Sequence, residues 1–328
     1  MQTLVRVIKS PPRPRDKLEG ICGALNVSIR VCSSTVGDSL NSYLHVGAGA
    51  LRFSVEEEYV KKLGIQSGKE LEKALKDLSD KISMDYNRFA ETMEGPTIPG
   101  SSVKGNIRSR LELSFVPKGN FVRSCFIISG SFLPPDQDRY AHFKLWRKTL
   151  SLPREEACSY LRESSGVCLL CDLFGTSGLQ SLVQFSDFIG KNIELHPINL
   201  PTGERFLVAP PGSTFSGKIL FRNLKASELG LLLYGMGIRN SRIGKPVLLG
   251  RMKYRRDLPH IFGVIRYLVD SLHLAPFSEP FEVNDHRVQP GKLVSEKELD
   301  YISSDLIRLV QDEFSDELID VNEVSTWG

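Results

Sequence analysis

Cys168 and Cys171 stand three apart in the run Cys168-Leu169-Leu170-Cys171. Two thiolates at that spacing on a tight turn can chelate one ion, and a structural zinc site needs two further donors. Cys158 and His142 lie upstream as the nearest pair, with Cys125 in reserve. The alternative is that these are small buried apolar side chains. Cys22 and Cys32 complete the six cysteines of this 328-residue chain. A disulfide framework is not expected, because the N-terminal MQTLVRVIKSPPRPRDK has no apolar leader core and the chain reads as cytoplasmic.

A second chemistry is phosphate binding. In Ile98-Pro99-Gly100-Ser101-Ser102-Val103-Lys104-Gly105-Asn106-Ile107-Arg108-Ser109-Arg110 a Gly-Ser-Ser turn opens a helix whose first turns carry Lys104, Arg108 and Arg110. Free N–H groups at a helix start, the positive end of its dipole and nearby cations together suit a phosphate. Lys104 and Arg108 are four apart and share a face. The plainer reading is a capped turn with solvated cations. Residues 237–256 add Arg239, Arg242, Lys245, Arg251, Lys253, Arg255 and Arg256 with no acid among them. An unmixed cation run suggests a polyphosphate partner, with Tyr234 and Tyr254 available to stack on unpaired bases.

Charge is asymmetric on the larger scale too. From Gly291 onward there are three basic against ten acidic residues, whereas the chain as a whole is +3. A basic body with an acidic end suggests a polyanion partner and a separate protein-facing end. Hydrophobic residues at 41% and charged residues at 25% describe an ordinary globular chain. No apolar run approaches the ~20 residues of a membrane span, so no membrane partner is expected.

The elements that must position these groups are mixed. Residues 1–17 read as a flexible basic arm. Ala24 to Val31 alternates as a half-buried strand. Leu44 to Gly49 is a turn. Ser67 to Glu70 is a capping box ahead of a helix with Leu71, Leu75, Leu78 and Ile82 on one face, within a helical insertion at 55–82. A helix is expected over 103–113, a strand around 119–134 and helices across 139–163. Short strands are expected at 182–185, 206–208, 218–221 and 264–268, with a helix at 228–236. Ser295 to Glu298 opens an acidic amphipathic helix, 295–318, with Leu299, Ile302, Leu306, Leu309, Val310 and Phe314 as its stripe. Interleaving without a regular β-α period favours an α+β fold on an antiparallel sheet.

The run IPGSSVKGNIRSRLE closely resembles the IPGSSLKGxxR signature of the RAMP superfamily, whose members build type III CRISPR effector complexes. Further matches follow in order. Leu44-His45-Val46-Gly47 looks like the early LHxG turn, and Cys171-Asp172-Leu173-Phe174-Gly175 like the xLFG motif. Pro211 to Phe215 is similar to the PxGTxF turn, Glu228 to Leu233 resembles the helix before the final glycine loop, and Gly250 to Arg255 resembles that loop. Two departures stand out. The final loop has only Gly250 before its basic run, and the thumb-hairpin segment 195–207 is short.

The resemblance implies a single RRM-like, ferredoxin-like domain with a zinc knuckle within 125–175. It implies guide-RNA contact through His45, Ser101, Ser102, Lys104, Arg108, Arg110, Arg242, Lys245, Arg251, Lys253 and Arg255, beside sister RAMP subunits. It places Asp85 where target-cleaving subunits carry an Asp about a dozen residues before the signature. There it would support Mg²⁺- or Mn²⁺-dependent attack of a ribose 2′-OH on target RNA. Asp80 and Glu91 are nearby, and the usual Asp-Asn-Pro context is missing. Two other roles remain open: a non-catalytic cap on the guide 3′ end, and a guide-processing endoribonuclease using His45.

Overall fold

The computed structural model describes residues 4–54, 83–127 and 141–324. Three long antiparallel strands form its centre: Val264–Leu274, Ile21–Val31 and Thr214–Leu224. Strict alternation in Ile21–Val31 sends Leu25, Val27, Ile29 and Val31 into the core, as side chains of period two must. Phe188–Gly190 and Val183–Phe185 pair on the outer side of Thr214–Leu224.

Chain order then defines the topology. The first long strand is followed by the signature helix Gly100–Ser114, then the Val183–Gly190 strands, then Thr214–Leu224, the helix Ala226–Gly235 and Val264–Leu274. In space the first strand lies between the third and fourth, with the second outside the third. That is the split β-α-β ferredoxin-like arrangement, on the expected α+β antiparallel core. The amphipathic C-terminal helix Glu296–Phe314 packs on Ala226–Gly235, burying Leu299, Ile302, Leu306, Val310 and Phe314. Ser295 caps that helix by position only. Its side chain makes no capping bond, and Glu298 pairs with Lys292 instead.

The open sheet face carries Asn26, Ser28, Arg30, Ser216, Lys218 and Asp270 at its middle, tied by bonds such as Ser28 Oγ to Asp270 at 2.7 Å. None is aromatic, so this face lacks the base-stacking platform of an RRM. A second sheet orders His196–Asn199, Arg205–Val208, Ser83–Phe89 and Gly47–Ser54. Its first two strands are the short hairpin read from 195–207.

Several local expectations change. The Pro-Arg arm is tied down over residues 4–17. Arg6–Val7 pairs in parallel with Phe121–Val122, and Ser10 and Val167 exchange backbone bonds of 3.0 and 2.9 Å. Arg13 and Arg15 both grip Asp172, at 2.8 and 2.7 Å, and Arg13 also pairs with Glu228. These cations are consumed by acids more than 150 positions away, which no local pattern reveals. Within 119–127 only Phe121–Val122 is strand, and helix within 141–163 is confined to Ala141–Leu145 and Arg147–Leu150. The helical insertion at 55–82, its capping box, and residues 128–140 lie outside the described residues.

Candidate nucleic-acid interface and metal centre

The signature helix starts as it does because Gly100 is pressed against backbone. A Cβ there would sit 2.5 Å from the Phe185 carbonyl oxygen and 2.6 Å from that of Ser186. Asp187 Oδ1 accepts a bond from Gly100 N–H at 2.8 Å. A carboxylate of the chain itself therefore takes an N–H that the sequence reading offered to phosphate.

From that start the cations diverge. Ser101 is exposed, while Ser102 and Lys104 are half-buried at the helix surface. Lys104 makes no ion pair among the described residues, and burial, then Arg108, lowers its pKa. Arg108 turns inward. It donates to Glu112 at 2.8 Å, to the Gly175 carbonyl at 2.6 Å and to Cys171 Sγ at 3.1 Å. Arg110 is buried in an ion pair with Glu323, and donates to the Gly235 and Leu248 carbonyls at 2.7 and 3.2 Å. Arg108 and Arg110 are structural cations here and not surface phosphate ligands.

Removing one partner of a buried pair strands the other charge, at a cost of about 3–5 kcal/mol. Arg110→Ala is accordingly expected to lower the chain's unfolding free energy by about that amount, read as a fall in urea midpoint. Replacing Glu323 as well with an apolar side chain should recover part of the loss. Equal midpoints for the wild type and Arg110→Ala would remove the pair from the structural account.

The final loop closes over the same helix. Gly250 has φ +85°, and a Cβ on it would lie 2.6 Å from the His45 carbonyl oxygen. That carbonyl accepts a 2.9 Å bond from Arg251 N–H, so the LHVG turn and the loop are laced together. His45 itself is fully buried between Phe89 and Phe206, with Nδ1 2.7 Å from the Leu207 carbonyl. Burial holds its pKa below the ordinary value. It serves the packing of the two sheets, not an RNA surface.

Three of the seven 237–256 cations are answered by the acidic C-terminus. Arg239 and Lys245 share Asp320, and Arg242 pairs with Asp300 through its backbone N–H at 2.8 Å and Nε at 3.8 Å. Arg255 grips Asp257 with two bonds. Part of the acidic end is thus a counter-surface for the chain's own cations. Tyr234 is buried, hydrogen-bonded to the Ile319 carbonyl and covered by Arg239, so it cannot stack on a base. Arg251 and Lys253 differ. Arg251 is exposed, reaching Asn87 Oδ1 at 3.4 Å, and Lys253 lies 5.4 Å from the Tyr254 ring centroid. Neither makes an ion pair among the described residues. Burial, with Arg110 adding repulsion, pushes the Lys253 ammonium down to about 8. Between loop and helix is a pocket of about 340 Å³, lined by Ser102, Asn106, Trp146, Arg251, Lys253 and Tyr254 among others.

The cysteines form a separate buried centre. The Sγ atoms of Cys125, Cys158, Cys168 and Cys171 all lie within 4.8 Å of one another. Cys125 is 3.5 Å from Cys171 and 3.7 Å from Cys168. Tetrahedral zinc with ~2.3 Å bonds to sulfur sets its ligands ~3.8 Å apart, so the donor set fits that ion. Hydrogen bonding from Cys125 holds the Cys158 thiol far below its ordinary value, and the same contact pushes Cys125 up. Thiolate ligation requires these thiols to give up their protons as the ion binds. Arg108 at Cys171 places a cation against the negative charge that four thiolates retain around a divalent ion.

His142 does not join this centre. Its ring lies against Tyr254, centroids 4.9 Å apart, beside the pocket. The fourth donor is Cys125, which the segment after Phe121–Val122 carries to the start of the helix Leu169–Phe174; its own N–H points to Cys168 Sγ at 3.5 Å. Asp85 lies on the strand Ser83–Phe89, two residues before the Asn87 that Arg251 contacts. Among the described residues the cysteine cluster is the one group with metal-ligand geometry.

The ferredoxin-like core brings a glycine-serine helix start and a basic glycine loop to one pocket. A model of the RAMP superfamily matches residues 39–315, most of the chain, and the chain belongs to that superfamily. Membership makes it a CRISPR-associated RNA-binding protein. No curated protein matches the sequence. No described helix is long and apolar enough to cross a membrane.

Proposed function

We infer that this chain is a guide-RNA-binding subunit of a type III CRISPR ribonucleoprotein, seated beside sister RAMP subunits and facing target RNA. The observation that carries the reading is the pair of uncompensated cations, Arg251 and Lys253, lining the pocket under the signature helix, with Lys104 on the same helix. A buried zinc held by the four cysteines fixes the segment behind that helix. The target-cutting step is assigned to Asp85 with a divalent ion.

A non-catalytic role capping the guide 3′ end is the second reading. The short hairpin His196–Asn199 and Arg205–Val208 favours it, because little chain is available to reach across a guide–target duplex. A processing endoribonuclease using His45 is disfavoured, since that imidazole has no exposed surface.

RNA binding is tested by salt dependence. Each neutralised phosphate contributes about 0.7 to the log–log salt slope on single strands. Lys104→Ala, Arg251→Ala and Lys253→Ala together should weaken single-stranded RNA binding and flatten that slope by about two units. Arg255→Ala should change neither, because Asp257 already holds that guanidinium. A folded triple variant with wild-type affinity and slope would sink the assignment.

A further inference from the structure

The four clustered cysteines come from three segments that lie apart in sequence. Cys125 stands 43 positions before Cys168, and Cys158 stands 10 before it. Residues 151–168 form no helix or strand of their own. Bringing such segments together costs loop-closure entropy, so another part of the chain must hold them. The N-terminal arm does this. Val5 N–H donates to the Pro153 carbonyl at 2.9 Å, and Glu155 N–H donates to the Val5 carbonyl at 3.0 Å. Val7 N–H is taken by the Glu155 carboxylate at 2.8 Å. Arg6 and Ile8 N–H groups donate to the Asn120 and Val122 carbonyls, each at 2.9 Å. Ser10 then pairs with Val167, where a Cβ on Gly166 would lie 3.0 Å from the Ser10 backbone. One short run of arm therefore bonds to chain within five residues of Cys125, Cys158 and Cys168. Arg15 reaches the neighbour of the remaining thiol. Its Nη1 and Nη2 donate to Asp172 Oδ1 and the Asp172 carbonyl at 2.7 and 2.6 Å, one residue after Cys171.

We propose that residues 4–15 form a strap that closes the four-cysteine centre, so that a bound zinc ion leaves only after the arm lifts. The inference rests on the zinc reading above and adds to it the element that governs metal exchange. The arm supplies no ligand atom. Its N–H groups and Arg15 position the segments that do, and Val5 and Val7 sink into the core cluster that also contains the four thiols. Arg13 carries the strap on to the ferredoxin-like core, through its ion pair with Glu228 and a 2.7 Å bond to the Asn223 carbonyl. The coupling is reciprocal. If a docked arm tightens zinc by some factor, bound zinc tightens the arm by the same factor.

Both directions of that coupling can be measured on the full chain. Arg15→Ala removes the grip on Asp172, and Ser10→Pro removes the N–H that Val167 accepts. Neither residue touches the thiols, and Glu228 keeps its partner Arg13 in both variants. Loss of a group that holds a metal-ligating segment lowers metal affinity by about 10–100-fold. Zinc transfer to a chromophoric chelator should therefore be about tenfold faster or more from the double variant than from the wild type. The second measurement uses the wild type alone and needs no variant to fold. Trypsin cuts that appear only after zinc is chelated should map to Lys9 and Arg15, and added zinc should suppress them. An arm that serves general stability alone would be cut at the same rate with and without zinc. Equal release rates from wild type and folded double variant would overturn the strap, and so would arm cleavage indifferent to zinc. A zinc-free wild type that takes up no added zinc would remove the metal reading itself and the strap with it.

Discussion

Purified Cys125→Ser is expected to carry far less zinc than the wild-type value of about one ion per chain, whereas His142→Ala should keep it. The contrast follows from geometry. Cys125 stands 3.5 and 3.7 Å from two of its three partners, and His142 stands at Tyr254. Binding to structural zinc sites is worth ~10–16 kcal/mol in small peptides, and where the site does not pre-exist that free energy is folding free energy. Here the four thiols are buried in the main core beside Leu170, Leu173 and Phe174, so apolar packing holds part of the site without metal. The expected result is a clear fall in thermal midpoint for Cys125→Ser, reproduced in the wild type by a strong chelator and reversed by added zinc. Arg108→Ala should behave as a milder form of the same lesion, because it removes the donor to Cys171 and leaves Glu112 without its partner. Elemental analysis finding zinc-free wild type with an intact fold would leave a cluster of buried thiols. Zinc lost from His142→Ala but kept by Cys125→Ser would reverse the ligand assignment.

What could be read locally in the sequence was what local chemistry dictates. Alternation over Ala24 to Val31 and the stripe of the last helix are properties of consecutive residues, and both elements form where expected. Gly100 and Gly250 were visible as turns, though their reason, backbone approach by Phe185 and His45, is tertiary. The destination of charged side chains was not legible. Arg110 and Glu323 are 213 positions apart, and Arg13 and Glu228 are 215 apart. A cation run looks like a polyanion site until its acids are located, and Asp300 and Asp320 lie in a segment that the sequence alone assigned to a different partner. Cys125 illustrates the same point for metal. Spacing ranks ligands by separation along the chain, but strand pairing near Phe121 brings a distant thiol closer than a nearer imidazole.

Asp85→Ala is expected to leave guide and target RNA binding nearly unchanged while target cutting falls by a factor of ~10² or more, the effect of deleting a group that moves a proton or holds a catalytic ion. The placement behind this is backbone placement. Asp85 is on the strand Ser83–Phe89, which pairs with Arg205–Val208 through Asn87 and Phe206. Arg251 reaches Asn87 at 3.4 Å, and two residues along a strand is about 6.6 Å. The Asp85 backbone position is therefore about two strand residues from the Asn87 that Arg251 contacts. A carboxylate repels phosphate unless a divalent cation stands between them, so cutting should require Mg²⁺ or Mn²⁺ and a chelator should mimic the substitution. Retention of affinity separates this role from that of Lys104 or Lys253, whose loss weakens binding itself. The measurement uses the assembled ribonucleoprotein, an end-labelled complementary RNA and a sequencing gel. Full cutting by Asp85→Ala would reject the residue. Absence of cuts opposite this subunit in the wild-type complex, at saturating Mg²⁺, would instead support the non-catalytic cap. The short hairpin makes that the physically meaningful alternative, because strand cleavage needs the target held in line as well as a metal at its phosphate.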